Sequence, residues 1–329
     1  MGVLKRELSE IGRKEYDLVI VGGGIFGVCA AWDAVSRGLR AALLEKKDFA
    51  HGTSANSLKM IHGGIRYLQH ADLPRVRQAV KERRSFLRIA PHIIHPLPIG
   101  IPIYGHGLKG KEILWAGSSL YDLLAFDRNR GIRDPERRIP RGQLISREET
   151  LGLFPGLDRD GLTGAAIVYD GQMYNPTRLA LSFLRSAVSA GADAANYVEV
   201  TGFLKTEGRI SGVRARDMFT AEELEVRGKV VLNAAGPWAG ELLEGHLGVC
   251  LNPKASYSRD VCFILPRRVT GEYGVAVQAR TRDPDAILSG RNRHLFMVPW
   301  RKYTLVGVWH QVHSGSAEDF KVTEGELLG

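Results

Sequence analysis

Residues Tyr16 to Gly27 read YDLVIVGGGIFG, an apolar run that breaks into Gly22, Gly24 and Gly27 at the spacing G-x-G-x-x-G and continues as VCAAWDAVSRG. Each glycine meets a separate steric demand. Gly22 permits a tight strand-to-helix turn, Gly24 lets the backbone approach a pyrophosphate, and Gly27 lets the helix pack closely on the strand. Ile25 and Phe26 then fall in the first helical turn, where free N–H groups face phosphates. The pattern predicts a strand over 18–21, a helix ending near Gly38 and a second strand over 39–44. Glu45 closes that strand and Lys46 follows it. An acidic side chain about 20 residues after the glycines accepts hydrogen bonds from the adenosine ribose hydroxyls, which favours FAD or NAD over NADP. The competing reading is a glycine-rich loop in an ordinary α/β domain.

A chain of 329 residues with 44 % hydrophobic content has room for two domains. Its net charge of +9 suits nucleic acid, an anionic membrane surface or an anionic substrate. No zinc-finger or RNA-binding signature is present, so nucleic acid ranks last. Cys29, Cys250 and Cys262 are far apart, odd in number and without a C-x-x-C pairing. That usage fits buried thiols in a reducing compartment rather than disulfides or zinc. The opening MGVLKRELSEIGRK is charged and lacks an apolar core, unlike a signal peptide. No stretch reaches the ~18 uninterrupted apolar residues of a spanning helix. The expectation is a cytoplasmic protein, soluble or peripheral on the inner face of the cell membrane.

Beyond the first unit, HGTSANSLKMIHGGIRYLQ (51–69) is rich in small and polar residues and reads as a functional loop feeding a helix. From Pro74 to Leu87, Val76, Ala79, Val80 and Leu87 recur at helical spacing, with Arg75, Arg77, Lys81, Arg83 and Arg84 around them. Those cations read as a solvated helix face, with attraction of anionic lipid or substrate as the alternative. IIHPLPIGIPIY (93–104) predicts a strand with edge-type prolines. KEILWAGSSLYDLLAF (111–126) predicts an apolar helix flanked by Lys109, Lys111, Arg128 and Arg130, either buried or dipping into a bilayer interface. A helix is expected over 175–191, then short strands with turns at Glu207-Gly208 and around Asp217. KVVLNAAGPW (229–238) is an apolar strand ending in small residues. Strands of a second sheet are expected over 261–265, 295–299 and 304–308. Thr323 and Glu326 form a T-x-x-E capping box, so the chain reads as stopping inside its own architecture at Gly329.

GGGIFG, DFAHGTSANSLKMIHGGIRYL (48–68), RIAPHIIHPLPIGIPIY, YDGQMYNPTRLAL (169–181) and NAAGPWAG together resemble the FAD-dependent glycerol-3-phosphate dehydrogenases. The K-x-I-H-G-G-x-R-Y-L block is far more specific than the glycines. The resemblance implies a Rossmann-like FAD-binding domain with an inserted antiparallel β-sheet cap that binds substrate, as in the D-amino-acid oxidase-like flavoproteins. The FAD domain would comprise 14–92 and 174–245, the cap 93–173 and 246–316, and 317–329 would begin a C-terminal region. It further implies oxidation of sn-glycerol 3-phosphate to dihydroxyacetone phosphate at a membrane surface, with electrons passing from flavin to a quinone.

Carried over by position, the resemblance gives Gly22, Gly24 and Gly27 to the pyrophosphate, Glu45 to the ribose, and Thr53 and Ser54 to further phosphate or ribitol contacts. Lys59, His62, Gly63 and Gly64 would lie beside the isoalloxazine ring. Val198 would present backbone to the adenine, and Ala235, Gly236 and Trp238 would close over the cofactor. Loss of the substrate hydroxyl proton needs a base, and the sequence offers His62, Lys59 and Arg259 as polar candidates for the catalytic site; for His62 the competing reading is a histidine satisfied by backbone partners. His92-x-x-His95 and His310-x-x-His313 lack an acidic or thiol partner at useful spacing, so no metal is expected. Two departures fall on the cap side. The family's K-G-x-H is Arg259-Asp260-Val261-Cys262 here, and its G-T-T-D is Gly307-Val308-Trp309-His310. They put the substrate in question and leave two alternatives: a flavin enzyme for another small hydroxy or amino acid, or an incomplete flavin-binding fragment at a membrane surface.

Overall fold

The computed structural model describes residues 5–105, 111–249, 257–282, 292–313, 315–318, 321–322 and 324. Lys109, Cys250 and the capping-box residues Thr323 and Glu326 lie outside that set, as do the side chains of Lys111, Trp309 and His310. The chain divides into two units, one of residues 1–57, 176–259 and 312–329, the other of residues 58–175 and 260–311.

The first unit is built on β1 (Glu15–Val21), α2 (Ile25–Ser36) and β2 (Ala41–Leu44), preceded by a short α1 (Leu8–Arg13). It continues through α6 (Pro176–Ser189), β7 (Asp193–Ala195), β8 (Val198–Thr206), β9 (Arg209–Asp217), β10 (Glu223–Asn233) and α7 (Ala239–Leu247). The sheet order is β7-β2-β1-β10-β9-β8, parallel across the first four strands and antiparallel beyond. Both faces of a parallel strand are covered, which is why β2 reads AALL with no polar residue and is buried throughout. Val19, Val21, Ala42, Leu44, Val198, Val213 and Val226 form the core on one side. On the other, α2 packs against α6, with Trp32 edge-on to Phe183 at 5.5 Å. Glu207 and Gly208 both take positive φ, 52° and 78°, as a two-residue type I′ hairpin requires.

The second unit carries β3 (Met60–Ile61), α3 (Leu73–Ile89), β4 (Ile94–Tyr104), α4 (Lys111–Leu124), β5 (Gln143–Ile145), α5 (Arg147–Leu153) and β6 (Leu162–Met173). β11 (Tyr257–Leu265), β12 (Gly274–Arg282), β13 (Asn292–Trp300) and β14 (Tyr303–His313) complete its sheet, ordered β11-β14-β13-β12-β4-β6-β3 with β5 on β6. Leu97, Ile99, Val168, Ala276, Val298 and Leu305 form its core. Residues 58–92, expected with the dinucleotide unit, belong here instead. β3 ladders onto β6 at Met60 and Ile61, and α3 is tied to β6 by Arg83.

The prolines of β4 do not mark a sheet edge. β4 ladders to β6 along its whole length and to β12 at Ile99 and Gly100. Pro96, Pro98 and Pro102 share a parity, so their missing N–H groups all fall on one side of the strand and leave the other side's donors complete. A long ladder on one flank and a two-position contact on the other is the outcome of that asymmetry.

The basic residues of α3 are not simply solvated. Arg83 lies on the inward stripe with Val76, Val80 and Leu87 and is 1 % exposed. Arg77 and Arg84 both bind the Asp127 carboxylate just past α4, and Arg77 also reaches the Leu124 carbonyl. The hydrogen bond from Arg77 is the main reason that the Asp127 pKa is lowered to about 2, with Arg84 adding to it. A carboxyl depressed in the folded state contributes stability that is present above its unfolded value and is lost as pH falls through its folded value. Asp127→Asn should therefore lower the unfolding free energy at neutral pH by about 1.5–3 kcal/mol, the worth of hydrogen bonds to a charged group. In denaturant titrations its deficit against wild type should shrink between about pH 4 and pH 2.

Candidate functional site

The glycine loop is packed from every side in the first unit. A Cβ on Gly27 would lie 1.9 Å from the Gly22 carbonyl oxygen, and one on Gly22 would lie 2.5 Å from the Ala234 oxygen at the end of β10. Gly22 has φ of 108°, outside the range of most L side chains. Gly24 is the N-cap of α2 and brings no side chain to its first turn; Ser54 Oγ accepts the Ile25 N–H at 2.9 Å. Phe26 is 82 % exposed beside it. With the Ile25 N–H on Ser54, the glycine at the N-cap still leaves room for an anion at the helix start, which fits a pyrophosphate.

Glu45 is 7 % exposed, and its carboxylate accepts the Gly23 N–H at 2.7 Å through Oε2 and the Lys47 N–H at 2.8 Å through Oε1. It thus braces the loop, and each oxygen keeps a further lone pair for a ribose hydroxyl. The Val198 N–H donates to the Glu45 carbonyl at 2.8 Å. Lys46 pairs with Glu318 and stands over the Trp238 ring at 5.1 Å. That ring also covers Gly52, where a Cβ would come within 3.3 Å of it. The Ala235 N–H donates to Asn233 Oδ1, and Gly236 takes φ of 60° at the turn into α7. Thr53 is exposed in the same segment.

In the second unit, the H-G-G turn sits on a buried carboxylate. His62 Nδ1 lies 2.9 Å from Asp170 Oδ2, and the Gly63 N–H donates to Asp170 Oδ1 at 2.6 Å. Arg83 Nη1 donates to the same Oδ1 at 2.8 Å. The His62 side chain is 56 % exposed even with Nδ1 held on Asp170, and its ring lies 6.3 Å from that of Phe296. Burial alone would raise the Asp170 pKa, but the hydrogen bond and charge of His62, then Arg83 and the Gly63 N–H, hold it below the usual carboxylate value. Lost solvation opposes protonation of His62, yet the bond and charge of Asp170 outweigh it and raise the pKa above the ordinary histidine value; Arg83 and Arg66 oppose. Gly64 takes φ of 81° at the entry to the next turn.

Lys59 has φ of 60°, and its ammonium stands 4.8 Å over the Trp300 ring. Burial lowers its pKa, Cys262 opposes and Arg301 adds to the fall. Arg259 falls in the first unit, where Nη1 donates to the Lys321 carbonyl at 2.7 Å. The arrangement thus joins His62, Gly63 and Gly64 around Asp170, and leaves Lys59 and Arg259 in separate surroundings. Asp170, Arg83 and Tyr121 were not singled out from the sequence. The available signal was Arg83 at helical spacing from Val76, Val80 and Leu87, a charge on an apolar stripe.

A family model described as FAD dependent oxidoreductase matches residues 17–327. A glycerol-3-phosphate dehydrogenase of Synechocystis sp. is 33 % identical over 98 % of this chain and 57 % of its own length. The mitochondrial glycerol-3-phosphate dehydrogenase of Bos taurus is 36 % identical over 89 % of this chain and 39 % of its own. The chain therefore spans about two-fifths to three-fifths of the length of these relatives. The solved glycerol-3-phosphate dehydrogenase of Bacillus halodurans, complexed with FAD, superposes with a TM-score of 0.70 at 25 % identity, over 97 % of this chain and 52 % of that one. These likenesses bear out the resemblance carried by the sequence motifs and the α/β fold expected from it. With a glycine loop shaped for a dinucleotide and a family model spanning nearly its whole length, the chain belongs to the FAD dependent oxidoreductase family.

Proposed function

We propose that this chain carries the flavin site and the proton-accepting group of a glycerol-3-phosphate dehydrogenase, which oxidises sn-glycerol 3-phosphate to dihydroxyacetone phosphate and passes electrons to a quinone. The observation that carries the reading is His62, held through Nδ1 on a buried carboxylate with its side chain half-exposed. Gly22, Gly24, Ile25, Phe26 and Gly27 would hold the pyrophosphate, Glu45 the ribose, Lys46, Thr53 and Ser54 neighbouring polar groups, and Val198 the adenine. Ala235, Gly236 and Trp238 would close over the nucleotide, with Lys59, His62, Gly63 and Gly64 by the flavin ring. FAD, when bound, supplies the two-electron acceptor for the hydride from C2. The chain's own contribution is to take the hydroxyl proton on His62, with Arg259 retaining a cation for a phosphate or carboxylate.

A membrane-surface location is part of the same proposal. Trp115, Leu120 and Leu123 are exposed along α4, with Phe126 beyond its end. Arg77 stands 4.9 Å over the Phe126 ring, so a cation accompanies the apolar face. Among the described residues no helix is long and apolar enough to cross a membrane. Apolar rings with basic neighbours suit the interface of an anionic bilayer.

The purified chain should show flavin bands near about 375 and 450 nm that bleach on anaerobic addition of glycerol 3-phosphate. Bleaching by amino acids instead would favour the oxidase reading, and a chain that stays colourless after reconstitution with FAD would sink the proposal. Glu45→Ala should weaken FAD binding about 10- to 100-fold, or about 1.4–2.8 kcal/mol, because the loop loses its brace. Equilibrium dialysis against FAD measures this. His62→Gln should retain FAD yet slow flavin reduction by about 10²- to 10⁴-fold, as read by stopped-flow absorbance.

A further inference from the structure

Gly63 is enclosed by side chains rather than needed for its backbone angle. A Cβ there would lie 2.2 Å from Arg83 Nη1 and 2.2 Å from the Tyr121 hydroxyl. The glycine admits two long side chains, one from α3 and one from α4. Arg83 Nη1 donates to Asp170 Oδ1 and to the Tyr169 carbonyl, and Nη2 donates to the Tyr121 hydroxyl at 3.0 Å. Tyr121 in turn donates to the Gly63 carbonyl at 3.0 Å. With the Gly63 N–H on Asp170, the contacts close into a ring around the peptide that carries His62.

A buried arginine–carboxylate pair is weak evidence for stability, since apolar residues of similar size often serve a core as well or better. Here the pair has a chemical consequence. A buried carboxylate would drift toward its protonated form, and His62 first, with the Arg83 cation and the Gly63 N–H beside it, opposes that. An ionised Asp170 can only accept hydrogen bonds, so the Nδ1 that faces it must carry the proton. The neutral ring then has its lone pair on Nε2, away from the carboxylate.

We propose that Asp170, Arg83 and Tyr121 are positioning residues that fix the tautomer and orientation of His62, making Nε2 the atom that takes the substrate's hydroxyl proton. The assignment rests on the alcohol oxidation proposed above. As the C2 hydride leaves with its electron pair to the flavin and the C–O bond becomes a carbonyl, the O–H proton passes to Nε2. His62 becomes an imidazolium, its Nδ1–H stays on Asp170, and Asp170 itself remains unprotonated. The charges facing His62 are Asp170, which favours the imidazolium, and Arg83 and Arg66, which oppose it.

The test is nitrogen-15 NMR of histidine-labelled FAD-loaded chain, titrated between about pH 5 and 9, alongside the pH profile of glycerol 3-phosphate oxidation. In wild type the neutral His62 should carry its proton on Nδ1 and titrate above the ordinary value. In Asp170→Asn the amide can donate to Nδ1, so the proton should move to Nε2 and the titration should shift downward. The rising limb of kcat/KM should move to lower pH, and kcat should fall about 10²- to 10⁴-fold with FAD content unchanged. In a double-mutant cycle the Asp170→Asn effect on kcat should vanish on the His62→Gln background, which a merely structural role would not produce. A wild-type ring protonated on Nε2 when neutral overturns the proposal without recourse to any variant. So does an Asp170→Asn chain with the tautomer reversed and kcat unchanged. If wild type shows the Nδ1–H tautomer but no oxidation of glycerol 3-phosphate, the proposed activity fails while the orientation of His62 stands.

Discussion

The buried pair of Arg83 and Asp170 organises the second unit. Both groups are below one-tenth exposed, and desolvating two charges is costly unless every donor and lone pair is used. Here the guanidinium is spread over Asp170, the Tyr169 carbonyl and Tyr121, and the carboxylate over Arg83, the Gly63 N–H and His62. The pair therefore pins α3 to β6 and, through Tyr121, α4 to the turn after β3. Removing either partner would strand the other charge in an apolar interior, the situation that costs most in mutational studies of buried pairs, about 3–5 kcal/mol. The same pair that would be costly to break leaves the His62 side chain 56 % exposed.

The first unit depends on a steric constraint instead. Its loop is a stack of close approaches: Gly27 on Gly22, Gly22 on Ala234, and Gly23 on Phe49 and Glu45. Those contacts need no charge, only the absence of Cβ atoms. Glu45 then closes the loop electrostatically by accepting the Gly23 N–H from within a buried site. A carboxylate in that place both shapes the turn and presents a negative end to hydroxyl donors, so the residue is doubly constrained. The exposed face of β10 at Val230 and Leu232 shows the limit of this packing, since both lie in register with Leu18 and Ile20 of β1 yet remain open.

Local periodicity made most of this legible. The β1–α2–β2 unit, the helix read from Pro74 to Leu87, the Glu207-Gly208 hairpin and the strands β4, β11, β13 and β14 follow from short local runs and turns, whereas β6 and β12 were not expected. What the sequence concealed was pairing at a distance. Arg83 meets Asp170 across 87 positions and His62 meets it across 108, separations at which no periodicity links one residue to another. The prolines of β4 misled for a related reason: edge or interior depends on which strands arrive later in the chain, and β12 comes some 170 residues on. Arg83 was readable in principle. A cation at the third position of an otherwise apolar stripe is buried by the helix geometry itself, and burial obliges a partner.

The two cap-side departures from the family pattern, at residues 259–262 and 307–310, are separated in sequence but not in space. β11 and β14 are neighbours in the sheet, and a Cβ on Gly307 would lie 3.2 Å from Cys262 Cβ and from the Val261 carbonyl oxygen. A Cβ at 307 would be tight against β11, which would have to give by a few tenths of an ångström. Cys262 in turn is close enough to Lys59 for each to shift the other's titration, although burial dominates both. The changed Cys262 thus meets the retained Gly307, the residue before the changed Val308, in one patch beside Lys59. A bulkier side chain at 307 would have to displace β11 and, with it, Cys262. Exchanging the family's histidine for Cys262 therefore reduces side-chain volume at the contact between β11 and β14 while the glycine that faces it is kept.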